Sequence, residues 1–287
     1  MERTIGNFQT EGITMEYSVA GSGKPVLVMH GGHSNYKEAF GYEALLQSGY
    51  SVITPSRAGY GETSKEAGKS LALACEHYKK LLDHLQVESV HVIAMSAGGP
   101  SGIYFAAHYP EYVTSLVLES AVTKEWLTPK DKEYKAAQLI FRPGTEKITW
   151  KMISLLNNVF PKFIFRQMFS SFSSLSFKEA QELIAPEDID AIKKMNNRQR
   201  SGAGFLIDLA QIKELSEEDL QTVSAPTLIL HSRHDSSVPF AHAQYAASTI
   251  PDAELRLLDT WGHLIWLGKH GEKTDAYVVN FLDEHSG

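Results

Sequence analysis

Three side chains in this sequence have the types, order and surroundings needed to attack a carbonyl carbon: Ser96, Asp235 and His263. Ser96 sits in Ala94-Met95-Ser96-Ala97-Gly98-Gly99, directly after the apolar run Val90–Met95 and ahead of a segment with helical spacing. A serine on a sharp strand-to-helix turn is pushed out of its sheet, and such a turn tolerates only small neighbours. Ala94, Ala97, Gly98 and Gly99 meet that demand. The pattern G-x-S-x-G asks for glycine at position 94, and this chain departs from it by one methyl group. The competing role for Ser96 is a cap on the following helix.

The partners of such a serine are read from three further loops. His30-Gly31-Gly32-His33 follows the apolar run Pro25–Met29. Adjacent glycines let a backbone N–H face a site unobstructed, so the N–H groups of Gly32 and Ala97 are the expected oxyanion hole. Asp235 follows the run Pro226–His231, where a carboxylate that orients a histidine belongs, and His263 stands in the loop after Ala253–Leu258. His234, beside Asp235, is the competing base, and Glu119, at the end of Ser115–Glu119, is the competing acid. Asp259 reads as a loop or capping residue. His30 and His33 have the spacing of some metal ligands, but no carboxylate or further histidine nearby completes a set; no metal and no cofactor is expected. His30 reads instead as a hydrogen-bonding support beneath its loop, and Cys75 as a core residue.

The elements that must hold these groups follow from periodicity. Pro25–Met29, Ser51–Pro55, Val90–Met95, Ser115–Glu119, Pro226–His231 and Ala253–Leu258 are short apolar runs without alternation, as expected of strands covered on both faces. Ser70–Leu85, Gly98–His108 and His270–Leu282 have helical spacing between them, which implies right-handed crossovers and a mostly parallel sheet. Around Gly12–Val19 an antiparallel edge is expected. From about Lys124 to Leu215 no strand is legible, only helical patterns separated by Pro129, Pro143, Pro161, Pro186 and Gly202/Gly204. Six of the 13 phenylalanines lie between Phe160 and Phe177. They either hold that insertion together or face a pocket; Phe165, Phe169 and Phe172 are the candidate pocket residues.

Composition excludes several classes. With 287 residues, 43% of them hydrophobic, the chain fills a substantial core. A net charge of −7 argues against a nucleic-acid-binding protein, and one cysteine excludes a disulfide framework. Gly21-Ser22-Gly23-Lys24-Pro25 fails as a phosphate loop, because Pro25 stands where a hydroxyl would hold magnesium. The N-terminus has no apolar signal region and no run approaches about 18 apolar residues, so a cytoplasmic protein with no membrane insertion is expected.

The order Ser96, Asp235, His263 resembles the α/β-hydrolase superfamily, in its capped form. Ser56-Arg57-Ala58-Gly59-Tyr60-Gly61 is similar to that family's arginine- and glycine-rich loop, and His108-Tyr109-Pro110 followed by Ser115–Glu119 to its helix stop and next strand. The resemblance implies an α/β-hydrolase fold with core residues 1–123 and 216–287 and a helical cap at 124–215. It also implies a serine hydrolase, carboxylesterase-like, acting on a small, largely apolar molecule through an acyl-enzyme. Carbon–carbon hydrolysis, cofactor-free perhydrolysis and a ligand-binding signal receptor are the alternatives.

Overall fold

Strands with no exposed residue occupy the middle of the sheet, and strands that alternate occupy its edge. The computed structural model describes residues 2–127, 130, 132–142 and 144–286. Eight strands, β1 (Thr4–Thr10), β2 (Ile13–Ala20), β3 (Lys24–Met29), β4 (Tyr50–Pro55), β5 (Val90–Met95), β6 (Val113–Glu119), β7 (Thr227–Ser232) and β8 (Ala253–Leu258), form one sheet in the order β1-β2-β4-β3-β5-β6-β7-β8. From β4 to β8 all neighbours are parallel, whereas β2 pairs antiparallel with β1 and β4. Every residue of β4, β5 and β7 is buried. The turn between β1 and β2 places Glu11 and Gly12 at φ 52° and 77°, the left-handed pair that a two-residue hairpin requires.

In chain order the helices are α1 (Tyr42–Gln47), α2 (Leu71–His84), α3 (Gly99–His108), α4 (Lys132–Ile140), α5 (Thr145–Val159), α6 (Pro161–Phe172), α7 (Asp188–Arg198), α8 (Gly204–Gln211), α9 (Glu217–Thr222), α10 (Ala241–Thr249) and α11 (Gly271–Glu284). Two of them, α1 and α11, cover one face of the sheet, meeting Val26, Val28 and Ile93 through Tyr42, Leu45, Val278 and Phe281. The other face carries α2, α3, α9 and α10, with Leu71, Leu81, Ile103, Phe105 and Leu220 against Leu27, Met29, Val92 and Ala94. Full burial of each such side chain contributes roughly 1.5–3 kcal/mol. This is the α/β-hydrolase fold. Tyr277 of α11 is 40% exposed and lies under Arg256.

Between β6 and β7 the described residues contain helices and one isolated bridge, Ser173 to Asp235, but no named strand. Pro161 starts α6 at the position where a missing N–H costs nothing. Pro129 and Pro143 lie outside the described residues. Phe165 and Phe169 pack with Ala180, Ile192, Met195 and Trp261 into a small core of this helical segment.

Candidate active site

The end of β5 is where the backbone is forced. Ser96 adopts φ 48°, a left-handed conformation that costs a non-glycine residue about 1–3 kcal/mol. Its carbonyl accepts the N–H of Val122 at 2.9 Å, which helps to hold the turn. The small neighbours are obligatory. A Cβ on Gly98 would stand 2.2 Å from the Met29 carbonyl oxygen, and one on Gly99 2.1 Å from that of Val122. Ala94, the departure from the glycine pattern, is accommodated by another glycine: a Cβ on Gly102 would lie 2.4 Å from the Ala94 methyl.

Ser96, His263 and Asp235 form one hydrogen-bonded chain. His263 Nε2 is 3.0 Å from Ser96 Oγ, and its Nδ1 is 2.7 Å from Asp235 Oδ2. Asp235 Oδ1 accepts the N–H groups of Ser237 and Val238, each at 2.8 Å. An ionised carboxylate can only accept, so Nδ1 of His263 carries the proton and Nε2 is left to accept from the serine hydroxyl. His231, 3.4 Å from Asp235 Oδ2, donates from Nε2 to the Val238 carbonyl at 2.9 Å, and burial holds its pKa below the usual value.

The competing residues lie elsewhere. His234 is near Asp259, 3.8 Å away, and neither joins the chain. Glu119 shares a small enclosed space with Asp275 and Tyr42 beside α1 and α11. Burial, with a smaller effect of the Asp275 and Glu38 charges, raises its pKa to about 8. Cys75 is buried in α2, its thiol against the Ser101 carbonyl.

The glycine loop lies against the same turn. A Cβ on Gly31 would be 3.3 Å from Ser96 Cβ, and one on Gly32 3.6 Å from Ala97 Cβ. Neither the N–H of Gly32 nor that of Ala97 has an acceptor among the described residues. His30 fixes this loop from below: its Nδ1–H donates to Gly31 O at 2.8 Å and its Nε2 accepts from Arg57 N at 3.0 Å. Burial, together with the Arg57 charge, lowers the His30 pKa to about 3. Arg57 also donates from Nε to His30 O at 2.7 Å and forms a buried ion pair with Asp208 of α8, which accepts the Tyr60 hydroxyl at 2.6 Å. Both nitrogens of His30 are therefore occupied. His33 is held through Nδ1 by Ser201 Oγ at 2.7 Å, and burial lowers its pKa to about 3. Among the described residues no three His, Cys, Asp or Glu side chains are grouped to hold a metal ion.

Ser96 and His263 open into a cavity of about 660 Å³ beneath the helical segment. Trp126, Phe141, Trp150, Phe172, Phe205 and Trp266 supply its aromatic walls. Of the three candidate phenylalanines, Phe172 lines this cavity, and Phe165 and Phe169 do not. They point the other way, onto Trp261, because the segment needs a core of its own. Among the described residues no Lys or Arg lines the cavity. His33, Gln199 and Glu38 are polar groups on its wall. Burial would raise the Glu38 carboxyl, yet Arg198 and the hydrogen bonds from Ser34, Ala39 and Phe40 hold it at about 2. Gln199 Oε1 is buried without a partner among the described residues.

Sequence reading missed the segment that ties the acid and base loops to α6. Ser237 Oγ donates to Ser171 O at 2.6 Å, Ser236 Oγ to Ser170 O at 3.0 Å, and Ser174 N to His234 O at 2.8 Å. Its trace in the sequence is the serine run Ser170–Ser176, interleaved with Phe and Leu.

Residues 24–269 match the sequence model of the alpha/beta hydrolase fold family, so the chain belongs to that family and is a hydrolase. It is 58% identical to the uncharacterized hydrolase YcgS of Bacillus subtilis, over 99% of this chain and 100% of that one. It is also 26% identical to a 2-hydroxy-6-oxononadienedioate/2-hydroxy-6-oxononatrienedioate hydrolase of Paraburkholderia xenovorans, over 94% of this chain and 91% of the relative. Among solved structures it is similar to an alpha/beta hydrolase fold protein from Nakamurella multipartita, with TM-score 0.85 and 24% identity over 99% and 100% of the two chains. The esterase EaEST from Exiguobacterium antarcticum superposes with TM-score 0.69 and 18% identity over 95% and 97%. Among the described residues no helix is long and apolar enough to cross a membrane.

Proposed function

We propose that this hydrolase cleaves carboxylic esters of small, largely apolar molecules through Ser96, His263 and Asp235. The observation that carries the reading is the Ser96–His263–Asp235 hydrogen-bonded chain opening into an aromatic-walled cavity of about 660 Å³. His263 Nε2 takes the Ser96 proton as Oγ attacks the ester carbonyl, and Asp235 stabilises the imidazolium that forms. The N–H groups of Gly32 and Ala97 receive the oxyanion; losing one such donor typically costs about 2.7–4 kcal/mol. The tetrahedral intermediate collapses, and His263 protonates the departing alcohol. Water, deprotonated by the same histidine, then attacks the acyl-serine and releases the acid. Residues 124–215 act as a cap that excludes solvent from these steps.

Carbon–carbon hydrolysis is the second reading, favoured by relatives named for it at 24–26% identity. Those names denote carboxylate-bearing substrates. Here no cationic side chain lines the cavity among the described residues, and Glu38 on its wall is already paired with Arg198. A carboxylate buried in this cavity would be desolvated without a cationic partner, which costs more than burying a neutral ester. The test is turnover of p-nitrophenyl esters beside a dienoate ketone acid. The ester reading expects kcat/KM at least a hundredfold higher on the esters. Faster turnover of the dienoate would reverse the two, and turnover of neither would favour a receptor.

A further inference from the structure

Helix α5 is turned so that its apolar stripe faces outward. Its inward side is fixed by polar groups: Glu146 Oε2 accepts Ser201 N at 3.1 Å, Asn157 Nδ2 donates to Lys193 O at 3.1 Å, and Asn157 Oδ1 accepts from Asn196 at 3.1 Å. Trp150, on the same side, is buried and donates to Ser201 Oγ. The opposite side carries Ile148, Met152, Leu155 and Val159 at spacings of four, three and four, a single continuous row. With Leu156, and with Phe160 and Phe163 at the start of α6, these seven side chains are each between 44% and 66% exposed. None of them joins a hydrophobic cluster of the described residues, and a protein surface rarely exposes such a group without an interaction to serve.

The charges around the row bear on what would cover it. Between Lys147 and Lys178 the sequence has five Lys or Arg and no Asp or Glu, in a chain of net charge −7. Lys147, Lys151 and Lys162 are exposed along the row and have no ion-pair partner among the described residues. A two-fold copy would set this patch against itself, lysines facing lysines, with no acidic side chain in the segment to relieve them. Lysines flanking Ile, Leu, Met and Phe match an interface where headgroups are anionic and acyl chains lie just beneath. We propose that the outer face of α5 and the start of α6 dock on an anionic lipid surface. Docking there would hold the cavity close to lipid, since Ile153 of α5 and Met168 of α6 line it.

The test is co-sedimentation of the full chain with vesicles of phosphatidylcholine alone or mixed with phosphatidylglycerol, with light scattering of the free protein. Partition should favour the phosphatidylglycerol vesicles and fall with added salt. Replacing Lys147, Lys151 and Lys162 together with Gln should lower it roughly a hundredfold. Leu155→Ser with Phe163→Ser, which removes two apolar side chains from the row, should lower it at least tenfold. All these positions are exposed, so thermal unfolding should be unchanged. The proposal is overturned if the protein stays in the supernatant with phosphatidylglycerol vesicles, or if neither variant alters partition. A dimer that Leu155→Ser splits into monomers, without vesicle binding, would also overturn it and assign the face to a second copy. None of these readouts depends on ester turnover.

Discussion

The main-chain oxygen of Phe172 accepts the N–H of His263 at 2.8 Å, so the last turn of α6 sets the position of the proposed base. Gly262 permits that contact, because a Cβ there would stand 2.3 Å from the Phe172 oxygen. Gly262→Ala should therefore displace His263 from Ser96 and lower kcat/KM by about 10²-fold, the scale of a misplaced reacting group. Steady-state kinetics on a p-nitrophenyl ester checks this, with circular dichroism to verify folding. Wild-type turnover would show that the contact does not position the base.

Asp235→Asn should lower kcat by about 10⁴-fold while leaving the fold intact. The N–H groups of Ser237 and Val238 will take the amide carbonyl, as they now take Oδ1. The amide NH₂ then faces His263 Nδ1 and forces the proton onto Nε2, where it blocks acceptance from Ser96. Glu119→Gln should retain wild-type activity, since Glu119 faces Asp275 and not His263. An active Asp235→Asn beside a dead Glu119→Gln would exchange the two roles.

Glu119 should instead appear in the pH dependence of stability. Its pKa in the folded chain is about 8, above the ordinary carboxylate range, so the folded state binds more protons than the unfolded state in between. Stability contributed by the neutral form is full at low pH and declines as pH rises towards 8, by up to about 1.4 kcal/mol per unit. Asp275, which burial and the charges of Glu272 and Glu43 raise to about 6, adds to the decline below that value. Denaturant unfolding from pH 5 to pH 9 should show a smaller loss for Glu119→Gln than for wild type. Parallel curves would contradict the assignment.

On p-nitrophenyl esters, kcat/KM should rise from acetate towards butyrate or hexanoate and then fall as the cavity fills, each buried methylene being worth up to about 0.8 kcal/mol. Phe172→Ala should move that optimum to longer chains. Phe165→Ala and Phe169→Ala should leave it in place and cost about 3–5 kcal/mol of stability, as expected of buried rings. A profile that Phe172→Ala leaves unaltered would remove Phe172 from the acyl pocket.

This contrast among three phenylalanines marks what was legible in the sequence. Strands β3 to β8 could be read because residues covered on both faces lose their alternation, and Ser96 because Gly98 and Gly99 permit a turn that other residues block. Strand β1 could not be read, being an exposed edge whose pairing comes from β2. The facing of Phe165 and Phe169 depended on Trp261, some 90 positions further on and visible only once the chain is folded. Likewise the Arg57–Asp208 pair spans 151 positions, and the contact of Phe172 with His263 uses a backbone oxygen that every residue possesses. A backbone contact leaves no residue-type signal, and a side-chain pair that distant in sequence leaves no spacing signal.

The most direct measurement is mass spectrometry of the protein after reaction with a fluorophosphonate, followed by peptide mapping. The account predicts one adduct, on Ser96, absent from Ser96→Ala and greatly slowed in His263→Ala, because the members of such a unit act together. An adduct on another residue, or equal labelling of Ser96→Ala, would contradict it.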